Sequence, residues 1–267
     1  MDTVAVLLML YPTAAHEAAA RYVVEQLKDD TTIKAILLTC SCARGKALPE
    51  SCLDIALLVD PMPRDKIKTL GKELEIKFSH EGAIKVLESM GKWCGLHLSV
   101  FDGNFKPGYH GWESGPDDFE LEIGNYLAHS VPLLEKDGSF NELKDNWLPY
   151  YDEDLRQTRL SEKIKFFTNN LDHVPDLARR GLFFAGFNRL YNAHKEFLQA
   201  LFITRKTYPI SYVKWVEDQI TGILALPELL PPFKASLEFP ALNEAVLLEK
   251  RGILSRLGCK YLGLDGS

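Results

Sequence analysis

Between residues 40 and 60 the chain reads CSCARGKALPESCLDIALLVD, side chains whose types and order suit phosphate chemistry. Ser41 offers a hydroxyl donor, Arg44 and Lys46 carry positive charge, and Asp54 lies within an apolar run of strand length, Leu53 to Val59. A second β-branched, apolar run, Ile33 to Thr39, ends just before this segment. A strand that turns tightly into a helix aims backbone N–H groups at an anion, and a serine in the turn adds a donor. Residues two apart on a strand share a face, so Cys52 and Asp54 would point at the same place. A thiol and a carboxylate there would be a soft and a hard donor side by side. The plain structural alternative is that Ser41 caps a helix and Asp54 satisfies a turn.

The order Ser41, Ala43, Arg44, Gly45, Ser51, Asp54 and Ala56-Leu57-Leu58-Val59 resembles, without a gap, the signature of the nucleotidyltransferase superfamily. There a Gly-Ser turn, often continued as Ala-Arg-Gly, precedes Ser-Asp-Ile-Asp-Leu on the next strand. The resemblance implies binding of a nucleoside triphosphate, with Ser41, Arg44 and Lys46 toward the phosphates. It also implies transfer of a nucleoside monophosphate to a small-molecule hydroxyl, with Mg²⁺ stabilising an in-line displacement. Asp54 would be both catalytic and metal-binding. Cys40 stands in place of the glycine and Cys52 in place of the first aspartate. The third acid belongs on a later strand, where Leu96 to Phe101 offers His97 and Ser99, with Asp102 just beyond as the acidic substitute. With carboxylates missing, transfer is expected to be weakened or lost, and a non-catalytic nucleotide-binding or interaction module is the alternative. A Walker-type phosphate loop fits less well, because Cys40 and Ala47 occupy its first glycine and its metal-binding Ser/Thr positions.

Phe187 to Phe202 and Tyr208 to Trp215 resemble the helical domain attached to some bacterial nucleotidyltransferases, itself related to HEPN-type bundles. The resemblance implies a second wall for the nucleotide and acceptor. Asn188, Asn192, Lys195 and Gln199 recur at intervals of four, three and four and would share one helical stripe. On a cleft, Lys195 and Lys214 would meet phosphate while Asn188 and Asn192 orient the acceptor; on a solvated face the stripe would only hydrogen-bond between helices. Arg189 and His194 fit the Arg-x4-His pattern of HEPN ribonucleases, a second alternative, although five residues of helix turn them about 140° apart. His16, His80, His110, His129 and His173 lack a metal-ligand rhythm and read as surface or packed histidines. Glu120 with Glu122 makes a weak further metal pair on a segment that reads as helix. Asp152-Glu153-Asp154 reads as a helix start more readily than as a base.

The elements that must position these residues alternate at first. A helix is expected from Thr13 to Leu27, then the two strands above. Helix follows from about Arg64 to Met90, interrupted near Gly71 and Gly82, then strand Leu96 to Phe101. Phe105 to Asp118 reads as an ordered loop, with Phe105 to Trp112 able to set acceptor choice, followed by helix Phe119 to His129 and strand Val131 to Glu135. Helices at Glu153 to Leu171, Ala178 to Ile203, Tyr212 to Leu226 and Ala241 to Leu257 complete the chain. The expected fold class is therefore α+β: a mixed sheet with flanking helices over residues 1–145, then an all-α helical bundle over 146–267, the boundary lying near Leu143 to Tyr150. A net charge of −6 disfavours a broad surface for duplex nucleic acid. The five cysteines form no secreted disulfide framework, and Val4 to Tyr11 is too short to span a membrane. A cytoplasmic protein with reduced thiols, acting on a nucleotide and a small acceptor as a monomer or homodimer, is the expectation.

Overall fold

The computed structural model describes residues 10–108 and 115–264. It divides into two compact units, one formed by residues up to 106 with 122–149, the other by 107–121 with 150 onward. The chain thus passes to the second unit from Tyr150, four residues beyond the expected cut, and segment 107–121 groups with the helical part.

In the first unit, helix α1 (Ala14–Leu27) starts at Thr13, whose hydroxyl accepts the His16 N–H. It leads to β1 (Ile33–Leu38), a single turn α2 (Cys40–Ala43) and β2 (Leu53–Val59). Helices α3 (Arg64–Phe78) and α4 (Gly82–Glu88) precede β3 (Leu96–Phe101). Helix α5 (Phe119–Ile123) marks the return from the second unit. It continues as a π-helical turn (Gly124–Ala128) to β4 (Val131–Glu135) and α6 (Ser139–Trp147).

The sheet is mixed, in the order β3-β2-β1-β4: β1 runs antiparallel to β2 and β4, and β2 runs parallel to β3. Every residue of β2 is buried except Asp54, as the near-continuous apolar run requires of a strand covered on both faces. Val23, Ile36, Leu53, Leu57 and Phe78 belong to the core around it. Gly71 does not interrupt α3. A Cβ there would lie 2.8 Å from the Leu98 carbonyl oxygen, so glycine lets the helix approach β3 closely. Glu75, one turn on, accepts the Leu98 N–H at 2.6 Å and occupies part of the edge strand's open ladder.

The second unit is helical. Helix α7 (Glu153–Arg179) is capped by Asp152, whose carboxylate accepts the Leu155 N–H at 2.9 Å, so the acidic run is a helix start. It was expected to end at Leu171 but continues through Pro175. Proline leaves the carbonyl four residues back without its helical donor. The Arg251 Nε–H, from α11 (Glu244–Leu262), supplies that Leu171 carbonyl with a bond at 3.1 Å. Gly181, at φ +70°, turns the chain into α8 (Phe183–Thr204). Phe167, Val174, Ala193, Phe197, Leu201 and Leu254 pack as its core.

The expected helix from Tyr212 to Leu226 forms only in its middle, as α9 (Val216–Asp218) continued by a π-helical turn (Gln219–Ile223). Trp215 and Ala225 take left-handed φ angles of +58° and +52°. The buried Gln219 amide accepts from Ile210 N–H at 2.7 Å and donates to the Ser211 and Lys214 carbonyls at 2.7 and 2.9 Å. That side chain therefore replaces helical bonds in ordering the loop. A 3₁₀ turn (Pro227–Leu229) and α10 (Leu230–Ala235) precede α11.

Candidate functional site

Asp54 and His97 face each other as register partners on the parallel strands β2 and β3. Cys52, two residues before Asp54, shares its face. The Cys52 Sγ–H donates to Asp54 Oδ2 at 3.1 Å, and His97 Nδ1 lies 3.4 Å from Oδ1. The Asp54 side chain is 19% exposed and that of His97 62%, so the carboxylate is recessed but reachable. Among the described residues these three are the one group of three or more His, Cys, Asp or Glu side chains whose ligand atoms lie within 4.8 Å of one another. Burial first, then the bond to Asp54, pushes the Cys52 thiol up to about 12. Burial, then the Asp54 charge, pushes Cys42 up to about 12 as well.

The turn from Thr39 to Lys46 lies alongside. Thr39 is stitched to the start of β2, its N–H and hydroxyl both donating to the Asp54 carbonyl at 3.0 and 3.2 Å. Cys40 follows with φ +54°, the left-handed backbone that glycine adopts freely and other residues seldom do. The turn closes through Lys46 N–H to the Ser41 carbonyl at 2.9 Å and Gly45 N–H to that of Cys42 at 3.0 Å. Ser41 and Arg44 are partly exposed and Lys46 is exposed.

A buried support holds the first residues of β2. With its proton on Nε2, His16 donates to the Ser51 carbonyl at 2.9 Å while Nδ1 accepts from the Thr13 hydroxyl at 2.7 Å. The Cys94 thiol reaches the same carbonyl at 3.1 Å. His16 is thus a packed histidine with a positioning task, one its isolated place in the sequence could not disclose.

Asp102 is not beside Asp54. It follows the far end of β3, and β2 and β3 run parallel with Asp54 near the beginning, so the strand residues Leu98 to Phe101 separate it from His97. Its carboxylate accepts the Asn104 N–H at 3.0 Å, and it lines a separate cavity with Lys34, Asp60 and Glu142. His97 occupies the place on β3 where the resemblance sought an acid. Ser99 is exposed further along.

In the second unit, Asn188 is exposed, Asn192 and Lys195 are half-buried and Gln199 is buried, so the stripe descends into the core instead of lying on one surface. The Lys195 ammonium sits 5.1 Å from the Tyr191 ring centroid, and Lys214 is exposed in the loop ordered by Gln219. Arg189 and His194 are not brought together. Arg189 donates to Asn170 Oδ1 at 3.0 Å, whereas buried His194 bonds the Leu190 carbonyl and the Ser236 hydroxyl at 2.7 and 2.6 Å. Burial lowers the His194 pKa to about 4. Tyr109 to Trp112, including His110, lie outside the described residues, as does Val4 to Met9.

Gln199 ends in a buried polar network. Arg159 donates from Nη2 to Asp117 at 2.7 Å and Glu120 at 2.6 Å, and Lys163 pairs with Asp117 at 2.7 Å. Gln199 and Tyr151 also donate to Glu120, at 2.8 and 2.7 Å. Glu120 is therefore taken up by Arg159, and Glu122 is exposed, so no metal pair forms there. Burial raises the Asp117 carboxyl, but Arg159 and then Lys163 outweigh it and hold it at about 2. Glu196, 0% exposed, accepts from Asn170 at 2.7 Å, and burial raises its pKa to about 7. The available sequence signal was Arg156, Arg159 and Lys163 at helical spacing in line with the apolar seam Phe167, Leu171 and Val174.

No protein-family profile matches the sequence, and neither does any curated protein. Among solved structures, a nucleotidyltransferase-like protein from Exiguobacterium sibiricum is similar at 13% identity and a TM-score of 0.43. The match covers 92% of this chain and 78% of that one. Among the described residues no helix is long and apolar enough to cross a membrane.

Proposed function

We propose that the Thr39–Lys46 turn and Asp54 form the phosphate end of a nucleoside triphosphate site of nucleotidyltransferase type, in which binding outlasts efficient transfer. The observation that carries this reading is the backbone of Cys40: at φ +54° the turn keeps a glycine-type conformation although the glycine is gone, and Thr39 ties that turn to Asp54. A non-glycine residue in left-handed backbone costs on the order of 1 kcal/mol and persists where its surroundings demand it. Ser41, Arg44 and Lys46 supply the donors and positive charge that a polyphosphate needs.

The metal chemistry of transfer is less well provided for. Mg²⁺ takes carboxylate, phosphate and water oxygens, whereas the cluster offers one carboxylate, one thiol and one imidazole. That donor set does not fit Mg²⁺, and no catalytic step is assigned to it. Binding and sensing of the nucleotide is accordingly favoured over rapid transfer to a hydroxyl.

Calorimetric titration with nonhydrolysable ATP and GTP analogues, with and without Mg²⁺, tests the reading beside Arg44→Ala and Asp54→Ala variants. One analogue should bind without Mg²⁺, Mg²⁺ should strengthen binding by less than about tenfold, and Arg44→Ala should weaken it by about tenfold, the worth of one charge-assisted hydrogen bond. No binding of either analogue to folded protein overturns the proposal.

A further inference from the structure

We infer that Cys52, Asp54 and His97 form a three-residue site for a soft or borderline divalent cation, Zn²⁺ foremost, with a fourth position left for water or a phosphate oxygen. The assignment goes beyond nucleotide binding and rests on side chains that could hold the metal whether or not a nucleotide binds.

Three observations converge. The donor atoms are sulfur, carboxylate oxygen and imidazole nitrogen, each an ordinary Zn²⁺ ligand. Their spacing also fits: bonds of about 2.0–2.3 Å in a tetrahedron separate neighbouring ligands by roughly 3.3–3.7 Å. Sγ lies 3.1 Å from Oδ2 and Nδ1 lies 3.4 Å from Oδ1, the two different oxygens of the Asp54 carboxylate, and one ligand atom from each residue lies within 4.8 Å of the others, so the donors converge but draw in by up to about 1 Å to share one ion. The backbone also sets the ligands: Cys52 immediately precedes β2, Asp54 is the second residue of that strand, and the parallel register sets His97 opposite Asp54. His16 and Cys94 hold the carbonyl just before Cys52.

Three protein ligands with an open position is the pattern of zinc sites that act on a bound molecule, in contrast to the four-ligand pattern of purely structural ones. Binding forms a metal–sulfur bond as the Cys52 S–H proton leaves to solvent, so one proton is released for each ion bound at a thiol. The bond from Cys52 to Asp54 is replaced, not left unsatisfied, because both atoms then face the same cation.

Co²⁺ reports the site directly, since thiolate ligation gives a charge-transfer band and a tetrahedral geometry gives intense visible d–d bands. The full chain, stripped with a chelator and kept reduced, is titrated with Co²⁺ in the absence of nucleotide. Expected are saturation at one equivalent, displacement by Zn²⁺ but not by millimolar Mg²⁺, loss of the charge-transfer band in Cys52→Ser, and at least tenfold weaker binding in His97→Ala. If Cys52→Ser does not fold by circular dichroism, the exposed His97→Ala still decides. Absence of the band in folded protein, a band that persists in folded Cys52→Ser, or unchanged Co²⁺ affinity in folded His97→Ala overturns the assignment. Because nucleotide is absent, failure here leaves the nucleotide reading intact, and failure of the analogue titration leaves the metal site intact.

Discussion

Among the described residues, two clusters of titratable side chains differ in how deeply each is buried. In the second unit, Arg159, Lys163, Asp117, Glu120 and Gln199 are buried and bound to one another. In the first, Asp54 is partly open to solvent, touched by a thiol and by an exposed imidazole. The buried network pairs its charges with one another, although Arg159 Nη1 and Gln199 Oε1 find no hydrogen-bond partner, and losing a member of such a network acts on stability. An open one retains capacity for a ligand and has little to do with holding the fold. The buried cluster has more charges, yet the sparser one is the better candidate for function.

The sharpest way to break this contrast is Arg159→Ala. It leaves Asp117 and Glu120 buried beside a lost guanidinium, and removing one partner of a buried ion pair costs about 3–5 kcal/mol. Urea unfolding should show that loss. A cost below about 1 kcal/mol would mean that the network is much wetter than its burial implies.

Glu196 gives the next effect, of up to about 3 kcal/mol, through pH. Its folded pKa, about 7, lies above the usual carboxyl value near 4.5, so the folded state holds a proton that the unfolded chain releases. The resulting stabilisation is fully present below about pH 4.5 and is lost as pH rises through about 7. Glu196→Gln should remove that window from the difference between the two unfolding profiles.

Arg251→Ala should cost about 1–2 kcal/mol, because it strips the side-chain donor from the Leu171 carbonyl that Pro175 leaves without its helical one. Loss of hydrogen-exchange protection confined to the last turns of α7 would locate the effect. Smallest is Asp54→Asn. A partly exposed pair contributes little to folding, so unfolding free energy should change by less than about 1 kcal/mol. The contrast between Arg159 and Asp54 is therefore expected to be at least about threefold in energy, and equal costs would remove the distinction drawn between the clusters.

The strands of the first unit were legible because β1, β2 and β3 are dense β-branched and apolar runs bounded by turns, and their ends fall within a residue of expectation. The turn after β1 was legible from Cys40 to Gly45, and its reading as a phosphate turn came through the resemblance. His97 was visible on the polar face of its strand, but its register against Asp54 is a tertiary fact: β2 and β3 are separated by two helices, and nothing local sets their alignment. Asp102 attracted attention as an acid near the right strand, whereas the parallel register sends it to the far end.

The helical half was less readable. Pro175 signalled a stop that Arg251 cancels from another helix, and the Tyr212 to Leu226 pattern yielded to one buried glutamine that orders the loop backbone. In both places a side-chain bond to the backbone outweighs a helical preference, across 80 residues at Arg251 and within nine at Gln219. The amide stripe on α8 was periodic as expected, but periodicity does not tell a wet face from a buried seam, and Gln199 lies in the seam.

The most direct test of the account is amide chemical-shift mapping of the isotopically labelled full chain titrated with a nonhydrolysable ATP analogue without Mg²⁺. The account predicts saturable shifts centred on Thr39 to Lys46 and on Cys52 to Asp54, with the Asp117 to Glu120 and Arg159 to Lys163 amides little changed. Saturable shifts centred on the buried network, or none at the turn at millimolar analogue, would contradict it.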